Sequence, residues 1–163
     1  MVTDETWQRE LAELLTELSA AQDELLGVLK QKLDLLRTAD AAGLQALGAV
    51  ETALADRLQT CYRRRCEMLE RAAQSGLPAE SLRALAAALP GNGRQALQSQ
   101  VALAADKSRL LQHQSLTNWV VTQRTLLHLS QLLEIVATGG KPRPTYGREE
   151  SVSTGGALLD RAV

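Results

Sequence analysis

The chain has few of the residues from which β-sheets are built. It contains no phenylalanine among its 163 residues, and its aromatic residues together make up only 2%. Strands are enriched in aromatic and β-branched residues, so this shortage argues against a sandwich, a barrel or an α/β fold. About a fifth of the residues are leucine, with alanine next, and both are strong helix formers. The composition therefore predicts an all-α protein whose helix seams are filled by leucine and alanine.

Strong charge, long apolar runs and paired cysteines are also missing. The net charge is −1, so no overall field recruits nucleic acid. The uncharged apolar runs are too short to cross a membrane, and residues 1–10 lack the apolar core of a signal peptide. Cys61 and Cys66 are too few for a disulfide framework and are expected to be free thiols. We expect a cytoplasmic protein without a nucleic-acid partner and without stable membrane insertion.

The first half of the chain has the 3-and-4 spacing of a coiled-coil seam. It predicts one helix over about 4–37 and a second over about 41–75, which ends at Gly76 and Pro78. Residues 38–40 form a short joint in which Asp40 caps the second helix. So short a joint predicts an antiparallel hairpin. The first seam is formed by Trp7, Leu11, Leu15, Leu18, Gln22, Leu25 and Leu29.

The second half predicts a short helix followed by a long one. The short helix covers about 79–89, although a mobile loop over 78–93 is an alternative. Residues 94–138 contain neither proline nor glycine and form the long helix, whose seam is polar in its middle. Polar residues in a helix seam either set the register of the helices or mark a place where the bundle opens. The polar seam residues are Ser108, Ser115, Asn118 and Thr122.

These helices predict an elongated antiparallel helical bundle or coiled coil of three long helices and one short one. We assign residues 1–138 to the bundle and residues 139–163 to a flexible tail that is too polar to offset its ordering entropy. Tyr146 and Gly147 stand out in this tail, because an aromatic residue in a solvated segment is a plausible recognition anchor.

No constellation of catalytic or metal-binding residues is evident. His113 and His128 are 15 positions apart on one helix, about 22 Å, and cannot share a metal ion within one chain. We therefore expect no enzyme activity, no metal and no cofactor. Trp7 and Trp119 lie on apolar stripes and are interpreted as core or seam residues. Arg63–Arg65 are interpreted as a solvated face that pairs with Glu67 and Glu70.

The order of these parts resembles the FlgN family of flagellar export chaperones. The chain contains, in this order, a long leucine-rich hairpin, a break, one long helix, a Gly/Pro hinge, a Tyr-Gly pair and a short apolar end. The motifs that carry the resemblance are Asp40 with Leu44, Leu47 and Glu51, then Leu110–Leu116, Tyr146–Gly147 and Gly155–Asp160.

The resemblance implies a helical cytosolic chaperone without enzymatic activity. Such a protein binds hook-associated proteins of the hook-filament junction, prevents their early association and delivers them to the flagellar export gate. The resemblance places client binding in the C-terminal helical part. It assigns docking on the cytosolic domain of the gate to the region of Tyr146 and Gly147.

The residues themselves suggest where a client helix would bind. The last helix is longer than the others and should overhang them, so its terminal apolar stripe is free to act as a helix-binding groove. This stripe contains Leu126, Leu129, Leu133 and Val136. The alternative is a structural coiled-coil adaptor that dimerises through the same stripe and has no client. A weak homodimer is compatible with either function.

Overall fold

The computed structural model describes residues 3–91 and 93–139. It contains four helices in this part of the chain, α1 (Asp4–Arg37), α2 (Ala41–Gln74), α3 (Leu82–Ala88) and α4 (Arg94–Thr138), and no strand. The predicted all-α class with three long helices and one short helix is confirmed. The chain divides into two compact units, Met1–Trp119 and a second that begins at Val120. The predicted flexible tail from residue 140 onward lies outside the described residues.

Local signals explain where the first two helices meet and end. The Asp40 carboxylate accepts a hydrogen bond from the Gly43 N–H at 2.9 Å, so Asp40 is the N-cap of α2, as predicted. At the other end, Gly76 adopts a φ of +73°, which glycine tolerates without strain. The Leu77 N–H then donates to the Ala72 carbonyl at 2.9 Å, and this bond closes α2.

A ladder of ion pairs holds α1 and α2 antiparallel. On α1 the ladder contains Glu10, Glu17 and Glu24, which are seven residues apart. Each pairs with an arginine of α2, and these arginines are also seven residues apart but in reverse order along the chain. Their partners are Arg71, Arg64 and Arg57, respectively. A fourth pair, Lys32 with Glu51 at 2.8 Å, has the opposite polarity. Charges that flank a helix seam set orientation and register, so this ladder specifies the hairpin.

The ladder corrects the expected pairing of Arg64, one of the three arginines interpreted as a solvated face that pairs with Glu67 and Glu70. Arg64 pairs across the hairpin with Glu17 instead. Arg71 likewise crosses to α1, where its guanidinium lies 5.2 Å from the centre of the Trp7 ring and its Nη2 is 2.5 Å from Glu10. Both arginines therefore pair with glutamates of α1, and the sequence alone does not show which residues of α1 face them.

The main core lies where the start of α1 meets the end of α2, α3 and the start of α4. From α1 the core contains Trp7, Leu11, Leu14 and Leu15, which are 0–2% exposed. The other helices, and Leu89 directly after α3, contribute the remaining core residues: Cys61, Met68, Ala72, Leu82, Leu85, Ala86, Leu89, Leu97, Val101 and Ala104. Trp7 is therefore a core residue, as predicted.

The segment after Pro78 is a helix rather than a loop, but it is shorter than predicted. Helix α3 begins at Leu82 because the Ser81 hydroxyl accepts a hydrogen bond from the Ala84 N–H at 3.1 Å, which makes Ser81 the N-cap. Leu89 is extended before Pro90, as expected for a residue that precedes proline. Leu85 and Leu89 are fully buried, so α3 is an integral part of the core.

Both cysteines are free thiols in this structure. Cys61 is buried, and burial, together with the nearby Glu17 carboxylate, raises the pKa of its thiol. A neutral thiol in an apolar environment behaves as a small hydrophobic residue. Cys61 accordingly acts as a packing residue of the core.

Candidate functional site

The second unit exposes a concentrated set of large apolar side chains. Between residues 126 and 136, seven such side chains are 44–70% exposed. Monomeric proteins seldom expose apolar patches of this density unless the patch binds a partner. We call this set the apolar helix end; it consists of Leu126, Leu127, Leu129, Leu132, Leu133, Ile135 and Val136.

The predicted client-binding residues all belong to this set. At 100° per residue, Leu126, Leu129, Leu133 and Val136 share an arc of about 80° on one side of the helix. Each is about half exposed or more, with Leu133 the most exposed at 70%. Their exposure agrees with the hypothesis, while their role in binding stays a prediction.

Three further members were missed by the sequence analysis. Leu132 borders the predicted stripe, whereas Leu127 and Ile135 lie on other sides of the helix. The missed signal was density rather than spacing, since seven of the eleven residues from 126 to 136 are large and apolar. A helix segment that is apolar on most sides is normally covered by other protein.

Electrostatically, this stretch is almost neutral. The charged residues within 120–139 are Arg124 and Glu134, and His128 is the single histidine. No helix within the described ranges is long and apolar enough to span a membrane.

The polar residues in the seam of α4 have two roles: some set the register of the helix, and one marks a place where the bundle opens. The Gln22 amide, 1% exposed, donates to the Ala104 carbonyl at 3.1 Å and to the Ser108 hydroxyl at 2.9 Å. The Asn118 amide donates to the Leu29 carbonyl at 2.9 Å. Ser108 and Asn118 thus fix the register of α4 against α1.

Ser115, by contrast, lies where the first unit opens. It lines a cavity of about 770 Å³ between α1, α2 and α4, which we call the Trp119 groove. Leu25, Leu58, Leu116 and Trp119 supply apolar walls. Trp119 is 60% exposed, so its interpretation as a core or seam residue was wrong: its ring lines the open groove instead.

The remaining candidate residues add no further site to this part of the chain. Within the described residues, no three His, Cys, Asp or Glu side chains are grouped as metal ligands would be. His113 and His128 are both exposed on α4. Tyr146 and Gly147, the predicted gate-docking residues, lie outside the described residues.

Comparison with known proteins identifies the family. A family model described as FlgN protein matches residues 1–154, which includes all four helices and the Tyr146–Gly147 pair. Neither the curated proteins nor the solved structures contain a significant match. Since the matched region covers nearly the whole sequence, the resemblance is confirmed, and the chain belongs to the FlgN family of flagellar chaperones.

Proposed function

We propose that this protein is a cytoplasmic export chaperone that binds the terminal helices of hook-filament junction proteins. The observation that carries the proposal is the apolar helix end, whose seven exposed side chains lie within eleven residues. Client segments that form coiled coils only in the assembled filament need a temporary helical partner before export. An exposed, nearly uncharged apolar helix surface supplies such a partner by the helix-in-groove mode of recognition.

Leu126, Leu129, Leu133 and Val136 are the proposed contact residues. Leu129 and Leu133 are adjacent members of the stripe and are 49% and 70% exposed. Burying a leucine side chain contributes roughly 1.5–3 kcal/mol, so two charged replacements should remove most of the affinity. Since both side chains are exposed, their replacement should leave the folded helices intact.

The test is a binding titration with a synthetic peptide that carries the C-terminal helix of a junction protein from the same organism. We expect the Leu129→Glu/Leu133→Glu variant to bind at least about 100-fold more weakly. The matched control is Leu103→Glu/Leu110→Glu, which places the same two substitutions on α4 at side chains that are 52% and 46% exposed. Circular dichroism should show both variants to be as helical as the wild type.

A third variant separates the two apolar surfaces. Leu116→Glu introduces a charge into the wall of the Trp119 groove, where Leu116 is 61% exposed. If Leu116→Glu abolishes peptide binding and Leu129→Glu/Leu133→Glu does not, the client site is the groove and the assignment to the apolar helix end is rejected.

We further propose that Tyr146 and Gly147 dock on the cytosolic domain of the flagellar export gate. The support is family membership, because the match extends to residue 154 and includes this pair. Tyr146→Ala should abolish retention of the gate domain in a pulldown while client-peptide binding stays unchanged.

The chain offers a matched control in its other tyrosine. Tyr62 lies on α2 and is 62% exposed, so Tyr62→Ala should affect neither interaction. Equal loss of gate and client in the Tyr146→Ala variant would argue against separate roles.

A further inference from the structure

A cavity in the first unit is lined by two arginines that have no ion-pair partner. It measures about 340 Å³ and lies between all four helices, with Arg65 of α2 and Arg83 of α3 among its walls. Other arginines of α2 pair with glutamates of α1, namely Arg57, Arg64 and Arg71. Within the described ranges, no carboxylate lies within ion-pairing distance of Arg65 or Arg83. The two guanidinium groups therefore share one cavity without an internal counter-charge.

The walls of this cavity also differ in charge from the chain as a whole. Among the described residues, no acidic side chain lines it. Arg65 also lines an adjoining cavity of about 300 Å³, whose described walls contain no acidic side chain either. The whole chain has 19 acidic and 18 basic residues, so a local excess of two positive charges does not follow from composition. The complementary ligand is an anion.

Ser81 adds a hydrogen-bond donor to the two arginines. Its Oγ accepts the N-cap bond from the Ala84 N–H at 3.1 Å, and a hydroxyl that accepts in this way can still donate its own hydrogen. The other serine of the cavity, Ser108, already donates to the Ala104 carbonyl at 3.0 Å. Guanidinium groups present paired N–H donors that match the two oxygens of a carboxylate. Arg65, Arg83 and Ser81 together suit a carboxylate head group.

The remaining walls are apolar and require an apolar body on the ligand. They are formed by Leu15, Leu18, Leu82, Val101, Ala104 and Ala105. Contact with such walls removes an aliphatic chain from water, which is favourable, whereas a small hydrated ion gains nothing from them. A cavity of about 150 Å³ already holds benzene, so this one accommodates a short aliphatic chain. A helix or strand of a partner protein needs an extended groove instead.

We propose that this cavity, which we call the Arg65–Arg83 pocket, binds a small aliphatic carboxylate. Arg65, Arg83 and Ser81 hold the head group, and the aliphatic chain lies against the apolar walls. The pocket belongs wholly to the first unit. The proposal is therefore independent of the proposed chaperone function and of the apolar helix end.

The test is a calorimetric titration of the full chain with sodium octanoate. We expect saturable binding of one octanoate per chain. Acetate has the head group without the chain, and octan-1-ol has the chain without the charge, so each should bind at least about 10-fold more weakly. Absence of saturable octanoate binding up to about 10 mM, or equal binding of octan-1-ol, would overturn the proposal.

Two pairs of arginine substitutions test whether the head group lies where we propose. Arg65→Gln/Arg83→Gln should weaken octanoate binding about 10-fold, because it removes both positive charges from the pocket. The matched control is Arg63→Gln/Arg94→Gln, which changes the net charge equally at two exposed arginines that do not line the cavity. It should leave the affinity unchanged. Equal losses in the two variants would make binding a matter of overall charge and would overturn the assignment to the pocket.

A last variant tests whether octanoate binds to other apolar surface. Leu129→Glu/Leu133→Glu alters the apolar helix end, where Leu133 is 70% exposed, and leaves the Arg65–Arg83 pocket intact. Octanoate should bind this variant as tightly as the wild type. Loss of binding would place the octanoate at the apolar helix end and would overturn the proposal, whereas the client-peptide titration described above tests the proposed function separately.

Discussion

The start of α1 and the apolar helix end have the same sequence pattern and the opposite environment. Both are leucine-rich stretches with 3-and-4 spacing, yet Leu11 and Leu14 are fully buried, while Leu133 is 70% exposed. In the hairpin, α2 supplies both a complementary seam and a ladder of opposite charges. At the apolar helix end, the helix positions directly beside the stripe of Leu126, Leu129, Leu133 and Val136 are uncharged: Thr125, Ser130, Leu132 and Ala137. The comparison shows that residue spacing identifies an apolar helix face. The charges beside that face indicate whether another helix of the same chain packs against it.

The largest expected effect is a difference in stability between equivalent leucine truncations. Leu14→Ala removes a fully buried side chain and should lower the free energy of unfolding by about 2–5 kcal/mol. Leu133→Ala should change it by less than about 0.5 kcal/mol, because that side chain is already exposed to solvent. Urea denaturation of the two variants measures both values at low protein concentration. Similar losses would remove the contrast between the two regions.

An intermediate effect is expected at the polar layer between α1 and α4. Gln22→Ala removes the hydrogen bonds to Ala104 and Ser108 and should cost about 1–3 kcal/mol of unfolding free energy. The control is Gln123→Ala, at an exposed position of α4, which should be nearly neutral. A neutral Gln22→Ala would mean that packing alone positions α4.

The smallest effect concerns the ion-pair ladder. A double-mutant cycle with Glu17→Gln and Arg64→Gln should give a coupling of about 0.2–1 kcal/mol that decreases with added salt. The comparison pair is Asp106–Arg109, which lies within α4 and has side chains 69% and 76% exposed. We expect no measurable coupling there, and a larger value for this pair than for the ladder would contradict the ladder's role.

Several features of the fold were predictable because their causes are local. The proline-free and glycine-free run from 94 to 138 gave the bounds of α4. Asp40 and Gly76 marked the boundaries of α2 through a side-chain cap and a positive φ. The start of α3 was missed because Pro78 is the more conspicuous signal, although Ser81 provides the actual cap.

The candidate site was only half predictable. Leu126, Leu129, Leu133 and Val136 could be selected by spacing, because they repeat a seam. Spacing could not select the other three members, because they belong to the site only through their exposure to solvent: Leu127, Leu132 and Ile135. Trp119 was misjudged for the same reason: its position on the stripe is clear from the sequence, but its 60% exposure depends on what the neighbouring helices supply.

The sequence by itself determined that this protein is helical, where its three long helices begin and end, and which faces are apolar, because caps, helix breakers and residue spacing act over a few residues. Only the tertiary structure decided which apolar faces are covered. Burial depends on residues far apart in the chain, as in the hydrogen bond from Gln22 to Ser108. The same leucine repeat therefore became a core in α1 and an exposed surface at the end of α4.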